Sequence, residues 1–234
     1  MTATKLLGEV PDFKPGWKLY VNNQPVAGEW RVESPFGSIH TAVVLDKDGK
    51  PVFDRPAYRE APNVNIIAWG RTKHWFSRDT VRIAVIRQPR PHADNPEKQG
   101  DGHEPVVFGQ IPMGFMEKIL GESGSATARR ETSEETGASA VIAVTQPKFP
   151  WHNPNPTFVP TWSDLYFVEV DLAKIARLRS SRKEPIYSAE YMPIGKLLQN
   201  IRDGKDEHGA VYRMCTANSL WMIFFATHPE LWPH

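Results

Sequence analysis

The chain has one cysteine, no long apolar run and no excess of either charge, and each shortage removes a class of function. Cys215, the single cysteine, excludes a disulfide within the chain and fits a reducing compartment. In an apolar C-terminal stretch it reads as a small packing residue, not a reactive thiol. The longest apolar run near the end, Leu220 to Ala226, falls far short of the ~20 residues that span a bilayer. The opening MTATKLLGEVPDF has no continuous apolar segment of the secretory kind. A cytoplasmic location without a membrane partner is therefore expected. With 28 Lys and Arg against 27 Asp and Glu, the net charge of +1 gives no general electrostatic reason to expect nucleic acid. No repeat or low-complexity array is present. Proline (21) and tryptophan (8) are plentiful for 234 residues. They imply rigid connections and rings that serve as core, interface or base-stacking groups.

Taken in order, the chain opens with β signals. Trp17, Leu19 and Val21 alternate, Asn22-Asn23 supplies a turn, and Trp30 and Val32 alternate again, which predicts a hairpin. A second hairpin is predicted from His40–Leu45 and Pro51–Phe53 around Asp46-Lys47-Asp48-Gly49-Lys50; without a closing Glu, that acidic turn is no calcium loop. Strands are expected at Asn63–Trp69, Thr80–Gln88 and Val106–Ile111, and after the central helix at Ala140–Thr145, Leu165–Val170 and Ile186–Pro193. Helices are expected at Ile194–Arg202 and Met214–Thr227. Two Pro-rich segments, 89–105 and 147–164, read as long loops, the first as a wall of a site with His92 and His103 as solvated residues.

The stretch that organises the rest is Gly114–Ala138. A helix from about Ser125 to Thr136, capped by Ser123 or Ser125 and closed by Gly137, carries Glu131, Glu134 and Glu135 at i, i+3 and i+4 on one face. Like charges this close raise one another's pKa unless a cation lies between them, and a hard divalent ion, Mg²⁺ or Mn²⁺, suits oxygen donors. Glu122, in the Gly-rich approach, is placed to turn toward the same ion. Arg130 is placed to pair with a carboxylate and fix its rotamer from outside the metal shell.

The run Arg130-Glu131-Thr132-Ser133-Glu134-Glu135-Thr136-Gly137-Ala138, with Glu122 eight residues before Arg130, resembles the Nudix hydrolase signature G-x5-E-x7-R-E-U-x-E-E-x-G-U, U being apolar. The sequence departs from it twice. Gly114 stands eight positions before Glu122 instead of six, which places two extra residues within Glu117–Gly121, and Thr132 takes an apolar position.

The resemblance implies an α/β fold, the Nudix α/β/α sandwich with a mixed sheet, over residues 64–234, preceded by an N-terminal antiparallel β extension over 1–63. It implies hydrolysis of the diphosphate linkage in a nucleoside diphosphate derivative. Glu131, Glu134 and Glu135 carry over as catalytic metal ligands, Glu122 as a ligand or helper, the Gly114 carbonyl as a further ligand, and Arg130 as the residue orienting Glu131 or Glu134. The motif leaves the general base open, between the box itself and a late residue such as Glu190. Ala84–Pro91 (AVIRQPRP) and the β extension resemble the ADP-ribose and nucleotide-sugar pyrophosphatase subgroup, so Arg87 and Arg90 are expected to reach phosphate. Trp151, Phe158 and Trp162 are expected to stack on a nucleobase or to pack their own loop. A homodimer is expected by the same resemblance. The alternatives are a regulatory module that binds nucleotide without turnover, and hydrolysis of dinucleoside polyphosphates or nucleoside triphosphates. RNA cap hydrolysis is disfavoured by the balanced charge, and an isoprenoid diphosphate isomerase by the position of Cys215.

Overall fold

The computed structural model describes residues 5–6, 19–21, 24–26, 31–34, 37–45, 51–72, 80–90, 106–117, 121–152, 162–176, 186–212 and 215–231, with side chains from Glu60 onward, Arg90 and Cys215 excepted. The chain divides into two compact units, Met1–Pro62 with Asn153–Ser163, and Asn63–His152 with Asp164–His234.

In the first unit, β1 (Lys5–Leu6), β4 (Arg31–Ser34), β5 (Gly37–Leu45) and β6 (Pro51–Glu60) form an antiparallel sheet in the order β1-β4-β5-β6. A separate ribbon pairs β2 (Leu19–Val21) with β3 (Gln24–Val26). The hairpin around 46–50 forms as expected and its second arm runs on to Glu60. The earlier hairpin is corrected. Gln24–Val26, not the Trp30–Val32 region, pairs with Leu19–Val21, and Arg31–Ser34 turns back on β5 instead. A connection of two residues favours the nearest available partner strand. Trp17, Trp30 and the acidic turn itself lie outside the described residues.

The second unit is built on a mixed sheet of eight strands. β7 (Asn63–Thr72) and β8 (Thr80–Arg90) lie at its centre, in the order β11 (Val141–Thr145), β13 (Ser163–Val170), β7, β8, β14 (Ser188–Pro193). β9 (Val106–Gln110), β10 (Met113–Phe115) and β12 (Trp151–His152) pair with β8, β7 and β13 respectively. β13 and β7 run parallel, and the other registered neighbours antiparallel. The segment expected as loop over 147–164 thus contains a short strand and the first residues of another. His92 and His103 fall in the undescribed stretch 91–105.

Among the described residues, three α-helices cover this sheet: α1 (Gly124–Thr136), α2 (Ile194–Asp203) and α3 (Cys215–Thr227). The near-continuous apolar runs of β7 and β8 are explained by burial on both faces. Val64, Ile66 and Ala68 of β7 pack with Tyr166 and Val168 of β13 and with Ala128 of α1. The alternate residues Ile67 and Trp69, with Ile83 and Val85 of β8, pack against Leu197 of α2 and Leu220, Trp221 and Phe224 of α3. Helices on both faces of a mixed sheet make the expected α/β/α sandwich. No helix among the described residues is long and apolar enough to cross a membrane.

Candidate active site

The site is assembled by α1 and the strand that leads into it. Ser123 caps the helix, its hydroxyl accepting from the Ala126 N–H at 3.3 Å. Gly137 closes it in the left-handed conformation at φ 74°, its N–H bonded to the Ser133 carbonyl, and a Cβ there would meet the Ala176 carbonyl at 2.2 Å. Thr132, where an apolar residue is usual, is fully buried because its hydroxyl donates to the Ala128 carbonyl one turn back (2.7 Å).

Arg130 is the hub. Its Nε donates to Glu122 Oε1 (3.0 Å), its Nη1 to Glu131 Oε1 (2.7 Å) and Glu134 Oε2 (3.2 Å), and its Nη2 to Glu122 Oε2 (3.1 Å) and the Phe115 carbonyl (3.2 Å). One guanidinium therefore gathers three carboxylates and ties the helix to the end of β10. Hydrogen bonds from Arg130 hold the Glu122 carboxyl down at about 2, against burial that would raise it and with help from the Glu117 N–H. Those bonds in turn raise the Arg130 pKa. Glu135 faces inward, its Oε2 accepting the Met113 N–H at 2.8 Å.

Gly114 lies in β10 beside Val64 of β7, and a Cβ there would sit 2.0 Å from Glu131 Oε1. The lengthened approach leaves this contact in place. The Glu117 N–H donates to Glu122 Oε2 (3.1 Å) and the Glu122 N–H to the Glu117 carbonyl (3.4 Å), so the segment holding the two extra residues is tied at its neck.

Chemically, three carboxylates around one guanidinium, with Glu135 on the same helix, leave an excess of negative charge and a donor set made only of hard oxygens, which suits a divalent cation. The open Cα face of Gly114 gives Glu131 the space it occupies. Among the described residues no three acidic, His or Cys side chains already enclose a metal-sized point. Glu122, Glu131 and Glu134 surround Arg130 instead.

Arg87 and Glu190 lie away from α1. Arg87 is 6% exposed, with Nε on Asp206 (2.7 Å), Nη1 on Ser188 (3.3 Å) and Nη2 on Glu190 (3.1 Å). Its strand neighbours Val85 and Ile83 pack toward α2 and α3, so alternation puts Arg87 on the sheet face opposite α1. Glu190, one of the candidates for the base, is held there by Arg87 and, at 3.8 Å, by Lys196. The Arg90 side chain lies outside the described residues. Trp151 and Trp162 are 63% and 60% exposed, each in its own unit. Asp206, the buried partner of Arg87, escaped sequence reasoning because 119 residues separate the pair.

The NUDIX domain family profile matches residues 62–215. No curated protein sequence matches significantly. Among solved structures, a mutT/nudix family protein from Listeria innocua is 17% identical, with a TM-score of 0.39 over 73% of this chain and 95% of that one. The NUDIX domain of Shewanella oneidensis NrtR, solved with ADP ribose, is 12% identical, with a TM-score of 0.40 over 70% and 89%. An ADP compounds hydrolase is 15% identical, with a TM-score of 0.43 over 84% and 90%. Because the profile spans well over half of the chain and takes in α1 with its whole approach, the chain belongs to the NUDIX domain family.

Proposed function

We infer that the chain hydrolyses the diphosphate linkage of a nucleoside diphosphate derivative such as ADP-ribose or a nucleotide sugar, with Mg²⁺ or Mn²⁺ as cofactor. The observation that carries this reading is the Arg130 fork on Glu122, Glu131 and Glu134, with Gly114 against Glu131. Glu131, Glu134 and Glu135 would hold the ion, with Glu122 and the Gly114 carbonyl as further donors. The chemistry such an ion supplies when bound is neutralisation of diphosphate charge and acidification of the attacking water. Arg130 keeps three carboxylates on one side of α1, and β10 presents its backbone to the same place.

For the substrate, Trp151, exposed in the same unit as α1, is a ring available for stacking on a base. Arg90, not the buried Arg87, is the arginine we assign to phosphate. Residues 1–63 are assigned to homodimerisation and 64–234 to catalysis, and the single Cys215 fits a reducing compartment such as the cytoplasm.

The test is phosphate-coupled turnover, with added Mg²⁺ or Mn²⁺, of ADP-ribose, nucleotide sugars, dinucleoside polyphosphates and nucleoside triphosphates. Cleavage of ADP-ribose or a sugar nucleotide is expected. Cleavage confined to the other compounds would discard the substrate assignment, and nucleotide binding without any turnover would make the chain a regulatory module.

A further inference from the structure

The motif leaves the base that activates water unassigned, and the geometry narrows the choice. Glu122, Glu131 and Glu134 are gathered by Arg130, Glu135 accepts a backbone N–H, and Glu190 lies on the far face of the sheet with Arg87 and Lys196. A further carboxylate, Asp164, stands at the start of β13 on the α1 side. Its placement follows from register. Gly114 pairs with Val64, and Val64 pairs with Asp164, so these residues form one row across β10, β7 and β13. Residues in such a row share a face. Val64 and Tyr166, which alternates with Asp164, both pack on the α1 side, and the Cβ direction of Gly114 meets Glu131. Two inter-strand steps put the Gly114 and Asp164 Cα atoms about 10 Å apart.

Asp164 is half-buried, and among the described residues its carboxylate has no hydrogen bond or ion pair. Burial raises its pKa above the ordinary value, and its charge adds to the burial that raises the Tyr166 phenol. An unpaired carboxylate held partly out of water lowers stability, and such groups cluster where chemistry is done.

We propose that Asp164 is the general base of the hydrolysis inferred above, on which this assignment rests. A carboxylate oxygen of Asp164 takes a proton from water as the water oxygen bonds to one phosphorus of the diphosphate. The bridging P–O bond breaks, its electron pair leaves with the departing phosphate, and the Asp164 carboxyl returns its proton to solvent.

The test uses the full chain, the best substrate of the panel above, and the variants D164N and D164A. D164N is expected to lower kcat by about 10²–10³-fold with KM within about twofold, and to leave Tm unchanged or higher because it removes a half-buried unpaired charge. Formate is expected to restore part of the D164A rate, which a structural role would not allow. Activity of D164N within about threefold of wild type, a loss confined to KM, a loss accompanied by a lower Tm, or no formate rescue would each overturn the assignment. If the wild type cleaves a panel member and D164N matches it, only this assignment fails. If the wild type cleaves nothing, the hydrolase reading fails with it.

Discussion

The carboxylate of Glu131 occupies the place where a side chain at Gly114 would begin, with Oε1 2.0 Å and Cγ 2.4 Å from the position of an added Cβ. G114A must therefore push Glu131 aside while leaving the β10–β7 ladder largely intact. Overpacking of this sort costs about 1–3 kcal/mol, and displacement of a reacting group by about 1 Å costs on the order of 10²-fold in rate. Turnover of G114A is expected to fall by about two orders of magnitude with a Tm loss of only a few degrees. Full activity would show that Glu131 need not sit where it does.

Arg130 reaches Glu122, Glu131, Glu134 and the Phe115 carbonyl with a planar fork that lysine lacks. R130K is expected to lower kcat/KM about 10–100-fold, the usual effect of losing a group that orients metal ligands. Steady-state kinetics on purified R130K checks this, and wild-type rates would remove Arg130 from the machinery.

The local part of this site was legible in the sequence, and the distant part was not. Helical spacing alone puts Glu131, Glu134 and Arg130 within reach of each other, and Gly137 and Ser123 announce both ends of α1. Strand alternation puts Arg87 on the face opposite α1, but that requires knowing which face α1 covers and finding Asp206 119 residues away. Asp164 carries no local signal, because its meaning comes from a register shared with Val64 and Gly114. The pairing of Leu19–Val21 with Gln24–Val26 was missed because a three-residue Gln-Pro-Val arm shows almost no alternation.

The Arg87–Asp206 pair makes a pH-dependent contribution to stability. Burial alone would raise the Asp206 carboxyl, but the Arg87 guanidinium and the Ala210 and His208 N–H groups outweigh it and hold it below its ordinary value. A depressed folded-state pKa gives stability that is complete above the unfolded value of about 4 and is lost as pH falls through the folded value. The Asp206 side chain is 0% exposed and that of Arg87 7%. D206N is expected to cost about 3 kcal/mol, roughly 6–12 °C in Tm, between pH 5 and 7. The gap should narrow below about pH 4. Thermal melts of both proteins from pH 7 to 3 check this, and a gap that is absent or constant to pH 3 would contradict it.

The most direct measurement is the rate of ADP-ribose cleavage after chelation with EDTA and again after Mg²⁺ is restored in excess, for the wild type and for Glu131→Gln. The account predicts that chelation abolishes wild-type turnover, that Mg²⁺ restores it, and that the variant stays inactive throughout with an unchanged fold. Wild-type cleavage that survives chelation, or a Glu131→Gln enzyme that Mg²⁺ brings to the wild-type rate, would contradict a metal-dependent centre built on the carboxylates of α1.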